Sequence, residues 1–174
     1  MGQHNKRNAL AAYMATKSVG VPDDIIRTCL NEFPGVEHRL ERVCEKDGVL
    51  WINDSKATNV NSCWYALESM TTPTVLILGG KDKRNDFTHI DDLVRSKVKA
   101  IVCMGKDNAK LLEHFGGMVP EIVDTHSVED AVKACAALAR EGDTVLLSPC
   151  CASFDLFKSY EDRGEKFKAE VNKL

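Results

Sequence analysis

The chain has 174 residues, of which 44% are hydrophobic and 28% charged, the balance of a folded globular protein and not of a disordered one. Lys and Arg number 23 against 26 Asp and Glu, a formal net charge of −3, which gives no support to a nucleic-acid-binding surface or a polybasic membrane anchor. No apolar run approaches the length of a membrane span, and Met1-Gly-Gln-His-Asn-Lys6 does not read as a signal peptide, so a cytoplasmic chain is expected.

Two helices are predicted first, from Asn5 to about Lys17 and, after Gly20 breaks the pattern, from Pro22 to about Glu32. Pro22 suits a first helical turn, and Asp23 and Asp24 favour the positive end of the helix. Pro34-Gly35 then marks a boundary. Beyond it strands and helices alternate. Two short strands, Leu40 to Glu45 and Val49 to Asn53, flank the turn Lys46-Asp47-Gly48, and a helix follows from about Asn59 to Met70. Further strands are expected at 74–78, 100–104, 121–124 and 144–148, with helices at 89–97, 107–115 and 127–140 between them. A long amphipathic helix from about Ser153 to Asn172 closes the chain. Segments such as Val145-Leu-Leu147 are apolar on both faces, as strands of a covered parallel sheet must be. The expectation is an α/β fold: a doubly wound, Rossmann-like, mostly parallel sheet with helices on both faces, preceded by a short helical segment.

Ligands of such sheets bind outside the carboxyl ends of the strands, so the polar strand ends are the candidate sites. Asp54-Ser-Lys-Ala-Thr-Asn59 gathers a carboxylate, two hydroxyls, an ammonium and an amide where a helix cap needs only one such residue. Gly79-Gly80 is followed by Lys81, Lys83 and Arg84; charge alone favours a solvated basic loop balanced by Asp82 and Asp86. In Ser148-Pro-Cys-Cys-Ala-Ser-Phe-Asp155, Ser153 is a candidate N-cap of the last helix, whose free N–H groups would welcome an anion. Familiar engines are absent from these residues. Gly80-Lys81 and Gly105-Lys106 are each followed by Asp, with Val75 and Ala100 where a Walker loop needs its first glycine, and no Gly-x-Gly-x-x-Gly occurs. Seven cysteines, at 29, 44, 63, 103, 135, 150 and 151, include no Cys-x-x-Cys pair, so neither a disulfide framework nor a zinc site is expected. They read as reduced core residues, with Cys150 and Cys151 open to a helix-dipole-favoured thiolate, although packing is the stronger reading. Together the strand ends suggest a site for a small molecule carrying carboxylates.

Taken in order, these motifs resemble the Mur ligase family, most closely its D-glutamate-adding members. Gly2-Gln-His-Asn-Lys-Arg-Asn-Ala9 is similar to the Gly-x-His-Asn-x-x-Asn near the end of the family's central ATP-binding domain. His38-Arg39 resembles the entry to its C-terminal domain, and Asn53-Asp-Ser-Lys-Ala-Thr-Asn59 the signature of the D-glutamate branch. Leu147 to Gly164, Leu-Ser-Pro-Cys-Cys-Ala-Ser-Phe-Asp-Leu-Phe-Lys-Ser-Tyr-Glu-Asp-Arg-Gly, resembles its closing motif. The resemblance implies that residues 1–35 are the helical tail of the central domain and 36–174 the amino-acid-binding C-terminal domain. It implies an ATP-dependent amide ligase of peptidoglycan synthesis, joining D-glutamate to UDP-N-acetylmuramoyl-L-alanine through an acyl phosphate. ATP and Mg2+ would be held mainly by upstream domains, and this piece alone would be inactive. Catalytic roles are implied for Lys56 and Lys83, D-glutamate contacts for Thr58, Lys83, Ser153, Phe154 and Tyr160, and ATP contacts for Asn8, Arg39 and Asp54. The family more often has Leu at the position of Phe154 and Phe at that of Tyr160.

Overall fold

A computed structural model describes residues 3–174; Gly2, the first residue of the Gly-x-His-Asn-x-x-Asn motif, lies outside the described residues. The chain divides into two compact units, Met1–Val36 and Glu37–Leu174. In the first, α1 (Gln3–Ser18) and α2 (Asp23–Glu32) are joined through Gly20, whose φ of +87° suits a residue without a side chain. The Tyr13 hydroxyl donates to Asp23 at 2.9 Å, and Lys17 pairs with the same carboxylate.

The second unit carries β1 (Glu41–Lys46), β2 (Val49–Asn53), α3 (Val60–Glu68), β3 (Thr74–Gly79), α4 (Asp91–Lys97) and β4 (Val98–Met104). It continues with α5 (Ala109–Phe115), β5 (Glu121–Thr125), α6 (Val128–Leu138), β6 (Thr144–Cys150) and α7 (Tyr160–Val171). The six strands form one sheet in the order β1-β2-β6-β3-β4-β5. Only β1 runs antiparallel, against β2; the other four pairings are parallel. This is the mostly parallel α/β sheet that the two-sided apolar strands predict. Alternate strand residues feed two separate cores. Ile52, Leu76, Leu78, Ile101 and Leu146 pack with Cys63 and Leu67 of α3, Val94 of α4 and Phe115 of α5. Trp51, Val75, Ile77, Val102, Val145 and Leu147 pack with Val132 of α6 and Phe167 of α7. Each fully buried Leu or Ile contributes about 2 kcal/mol by leaving water, which is why this alternation fixes both register and the face each helix covers. No helix among the described residues is long and apolar enough to cross a membrane.

Two expectations are corrected. The helix expected at 89–97 is α4, which starts at Asp91, two residues later than expected, after a short 3-10 turn, Phe87–Ile90, capped by Asp86. More consequentially, the last helix begins at Tyr160 and not at Ser153. Ser153 opens a single turn, closed by the Phe157 N–H on its carbonyl at 3.0 Å, and the turn does not propagate. The Asp155 carboxylate is drawn to the Lys106 N–H at 3.0 Å, and Leu156 and Phe157 are drawn to the core beside α6 and α7. The true N-cap is Ser159, whose hydroxyl accepts from the Asp162 N–H at 3.2 Å, while the Asp162 carboxylate accepts from the Lys158 N–H.

Candidate functional site

Strand order reverses beside β3, because β4 lies on one side of it and β6 returns on the other. Such a switch point opens a crevice at the carboxyl ends of the strands. The loops after β2, β3 and β6 meet there. Gly79 and Gly80 permit the meeting: a Cβ on Gly79 would lie 2.3 Å from the Met104 carbonyl oxygen, and one on Gly80 2.3 Å from that of Ala152. The Lys81 N–H donates to Ala152 at 2.7 Å and knits the basic loop to the loop carrying Ser153 and Phe154. Lys83 itself is exposed, as are Lys81 and Arg84. Asp82 and Asp86 do not balance these three charges: Asp82 pairs with Lys110 of α5 at 3.0 Å, and Asp86 caps the Phe87–Ile90 turn. The positive charge of the loop therefore faces solvent without a carboxylate ion pair among the described residues.

At the end of β2, Asp54 is 7% exposed. Its carboxylate accepts from the Ser148 hydroxyl at 2.9 Å and the Leu40 N–H at 3.2 Å. Burial pushes its carboxyl up to about 7 against the opposing pull of these bonds and of the Arg39 and Arg163 charges. Arg39 is exposed between His38 and Leu40, both of which hold left-handed backbone, at φ +62° and +47°. Asp54 holds one side of this strained turn through Leu40, and the Lys56 N–H holds the other by donating to the His38 carbonyl at 3.0 Å. Asn59 caps α3 by accepting from the Ser62 N–H.

Lys56 meets Tyr160, its ammonium 3.7 Å from the ring centroid. Thr58 is half-buried in the same loop, Ser153 is buried at 2% exposure, and Phe154 beside it is 66% exposed. Lys56 and Thr58 thus stand on the β2 loop, Ser153 and Phe154 on the β6 loop and Tyr160 at the start of α7, and the β6 loop is joined to the Lys83 loop by the Lys81–Ala152 bridge. Asn8 is an exposed residue of α1 in the first unit. Ser153 does not stand at a helix N-terminus, so the anion site expected from a helix dipole there is not formed. The same correction removes the dipole-favoured thiolate: burial, with Cys63 adding to it, drives Cys150 well above the ordinary thiol range, and burial pushes Cys151 up to about 11. All seven cysteines are free, five of them buried; Cys29, exposed on α2, departs from the core role expected of it.

Two residues missed as site elements organise the crevice. Arg163 of α7 is 1% exposed and donates through Nε and Nη2 to the hydroxyl and carbonyl of Ser55, at 2.9 and 2.8 Å, and through Nη1 to the Cys151 carbonyl at 3.1 Å. Burial lowers it to about 10, so it stays charged at neutral pH. It fastens the β2 loop to the β6 loop, as only a forked donor can. His38, 4% exposed, accepts at Nδ1 from the Asn53 amide at 2.9 Å and stands edge-on to the Tyr160 ring. The Arg-Gly pair at the end of the closing motif is the signal for both: a Cβ on Gly164 would lie 2.3 Å from His38 Nδ1. Glu37, His38 and Glu165 lie close enough together to be weighed as a metal site. They do not fit one. Lys168 already sits among Glu37, Glu41 and Glu165 at 2.5–3.2 Å, and the Nδ1 lone pair of His38 is taken.

The profile of the family described as "Mur ligase, glutamate ligase domain" matches residues 38–151. The UDP-N-acetylmuramoylalanine–D-glutamate ligase of Bacteroides fragilis is 58% identical over 174 residues, which are 99% of this chain and 39% of that protein. The ligase of the same name from Porphyromonas gingivalis is 53% identical over 173 residues, 99% of this chain and 38% of its own length. Among solved structures, MurF of Acinetobacter baumannii matches with a TM-score of 0.74 at 19% identity, over 99% of this chain and 38% of that one. The MurF ligase of Thermotoga maritima, solved in complex with ADP, matches with a TM-score of 0.69 at 16% identity, over 99% and 40%. At such identities the likeness is one of fold. This chain therefore spans 39% of the length of a 58% identical relative, and the matched region runs from the His38–Leu40 turn to the β6 loop. It belongs to the Mur ligase family and carries that family's glutamate ligase domain.

Proposed function

We propose that the chain is the carboxyl-terminal part of an ATP-dependent ligase that joins D-glutamate to UDP-N-acetylmuramoyl-L-alanine in peptidoglycan synthesis. The observation that carries this reading is the loop Asp54–Asn59: its Asp-Ser-Lys-Ala-Thr-Asn run lies at the switch-point crevice, in a chain 58% identical to a ligase of that name. The fold alone would not separate this substrate from those of other Mur ligases. Residues 1–35 are then the helical tail of an ATP-binding domain, and residues 36–174 bind the incoming amino acid.

In this reading the terminal carboxylate of the UDP-sugar substrate is activated as an acyl phosphate, and the amine of D-glutamate attacks it, releasing ADP and phosphate. The residues of this chain bind and orient. Lys56 and Lys83 attract the carboxylates and the phosphoryl oxygens, each as a point charge without a carboxylate ion pair among the described residues. Thr58, Ser153, the Phe154 N–H and Tyr160 fix the amino acid between the β2 and β6 loops. Arg39 and Asp54 receive the adenosine. Magnesium and the β- and γ-phosphates fall to upstream residues, since no Gly-x-x-x-x-Gly-Lys-Ser/Thr occurs here.

The test is D-glutamate-dependent phosphate release by the complete enzyme containing this segment, set beside the isolated chain, which should release none. In the complete enzyme Lys83→Ala should raise KM for D-glutamate about ten- to a hundredfold, the worth of one charge-assisted bond, and leave that for ATP unmoved. Phosphate release that ignores D-glutamate, or an unchanged KM, overturns the reading.

A further inference from the structure

We propose that Tyr160, braced by His38, is a positioning residue that seats the Lys56 ammonium on its ring face and so keeps that charge oriented yet free for an anion. The identity of the anion as a substrate carboxylate or phosphate rests on the function proposed above; the seat itself does not.

The contact is built rather than casual. Lys56 Nζ lies 3.7 Å from the Tyr160 ring centroid, well inside the ~6 Å reach of a cation–π attraction. The two residues are distant in sequence, and their backbones are tied at the adjoining position: the Ser55 hydroxyl donates to the Tyr160 carbonyl at 2.7 Å. Arg163, three residues beyond Tyr160, grips Ser55 through both its hydroxyl and its carbonyl. The lysine and its platform are thus clamped to one another one residue away from their contact.

The ring is held from its edge as well. His38 meets it in a T-shaped arrangement, with centroids 5.9 Å apart and planes at 82°. His38 has no freedom of its own. The Asn53 Oδ1 accepts from the Ser55 N–H and its Nδ2 donates to Glu41, which fixes the amide, so His38 Nδ1 must be the acceptor of the 2.9 Å bond and Nε2 carries the proton. The Cα of Gly164 closes against the imidazole where any side chain would collide.

What the ring spares Lys56 is a carboxylate. Lys110 and Lys168 are each neutralised by acidic partners, whereas Lys56 makes no ion pair among the described residues. A carboxylate that feels its charge is that of Glu161. The Tyr160 side chain and the Ser159 hydroxyl engage that group and hold it below the ordinary range, with the Lys56 charge adding to the effect. A π face orients an ammonium without cancelling its charge, which is the condition an anion-receiving lysine requires.

The test uses NMR of the isotopically labelled 174-residue chain, with Lys56 assigned by its loss in Lys56→Arg. The ε-methylene protons of Lys56 should lie upfield of those of the exposed lysines and show cross-peaks to the Tyr160 ring protons. Tyr160→Phe should keep the upfield shift; Tyr160→Leu should return the resonance to the envelope of the exposed lysines while amide dispersion is preserved. Absence of the wild-type cross-peaks overturns the seat whether or not any variant folds, and so does an unchanged shift in Tyr160→Leu. In the complete ligase, Tyr160→Leu should raise KM for the amino-acid substrate about two- to thirtyfold, the range spanned by cation–π contacts. Phenylalanine should recover most of that loss, with KM for ATP unmoved. An unchanged amino-acid KM in the leucine variant overturns the role of the seat. A wild-type enzyme without D-glutamate-dependent turnover overturns the function proposed above, and the NMR result still decides the seat.

Discussion

Replacing Asp54 by asparagine should make the chain more stable at neutral and alkaline pH and flatten its stability profile. In the folded chain burial pushes this carboxyl up to about 7, against 3.8 for the ordinary group. Between those values the folded state keeps a proton that the unfolded chain gives up. Stability contributed by the group is therefore whole below about pH 4, falls as the pH rises towards 7, and is level above it. A separation of about three pH units sets an upper bound of about 4 kcal/mol on the cost of ionising Asp54 in place. Asparagine keeps the acceptor for the Leu40 N–H, and the Ser148 hydroxyl can turn to accept from its amide, so most of that cost should be recovered. Urea unfolding of wild type and Asp54→Asn from pH 4 to 8 provides the measurement. The variant should gain about 2–4 kcal/mol at pH 8 relative to its difference at pH 4, with the steepest divergence, about 1.4 kcal/mol per pH unit, near pH 5–6. Parallel curves across that range would refute the argument that Asp54 is ionised at a cost.

Arg163→Met should destabilise the chain by about 3 kcal/mol in the same unfolding measurement, because it leaves the Ser55 and Cys151 carbonyls buried without a donor. Arg163→Lys should recover less than half, since one ammonium cannot serve both loops; a loss under ~1 kcal/mol for Met would dispose of the clamp. Iodoacetamide on the native chain at pH 8 should label the exposed Cys29 and spare Cys150 and Cys151, whose thiols burial holds protonated. Early labelling of either, read by mass spectrometry, would show that the β6 loop opens.

The interior strands were legible because each demands apolar residues on both faces, and Val49–Asn53 is found with the bounds its pattern predicts. The last helix was misplaced because two serines compete for its start. Both Ser153 and Ser159 are followed by carboxylates, but Asp155 answers to the Lys106 N–H from another strand end, whereas Asp162 answers locally. A one-dimensional reading has no access to that tertiary preference. The polar loop Asp54–Asn59 stood out by its excess of functional groups over what a cap requires. Arg163 and His38 did not, because a buried arginine and a buried histidine look in sequence like any charged residue on a helix and any residue near a turn. Their signal was Gly164, small where two backbones must close on a ring.

The place of β6 in the sheet sets the order in which this protein can come into being. It is the last of these six strands to be made, yet it lies in the interior, where Thr144 pairs with both Leu50 and Thr74. Until it has left the ribosome, β2 and β3 cannot join. They wait as two open edges rich in Val, Leu and Ile, the kind of surface that invites pairing with other chains. Such long-range closure is slow, since loop entropy is lost before any contact repays it. A ribosome stalled, or a message cut, before Cys150 would release a sticky half-sheet and not a smaller folded domain.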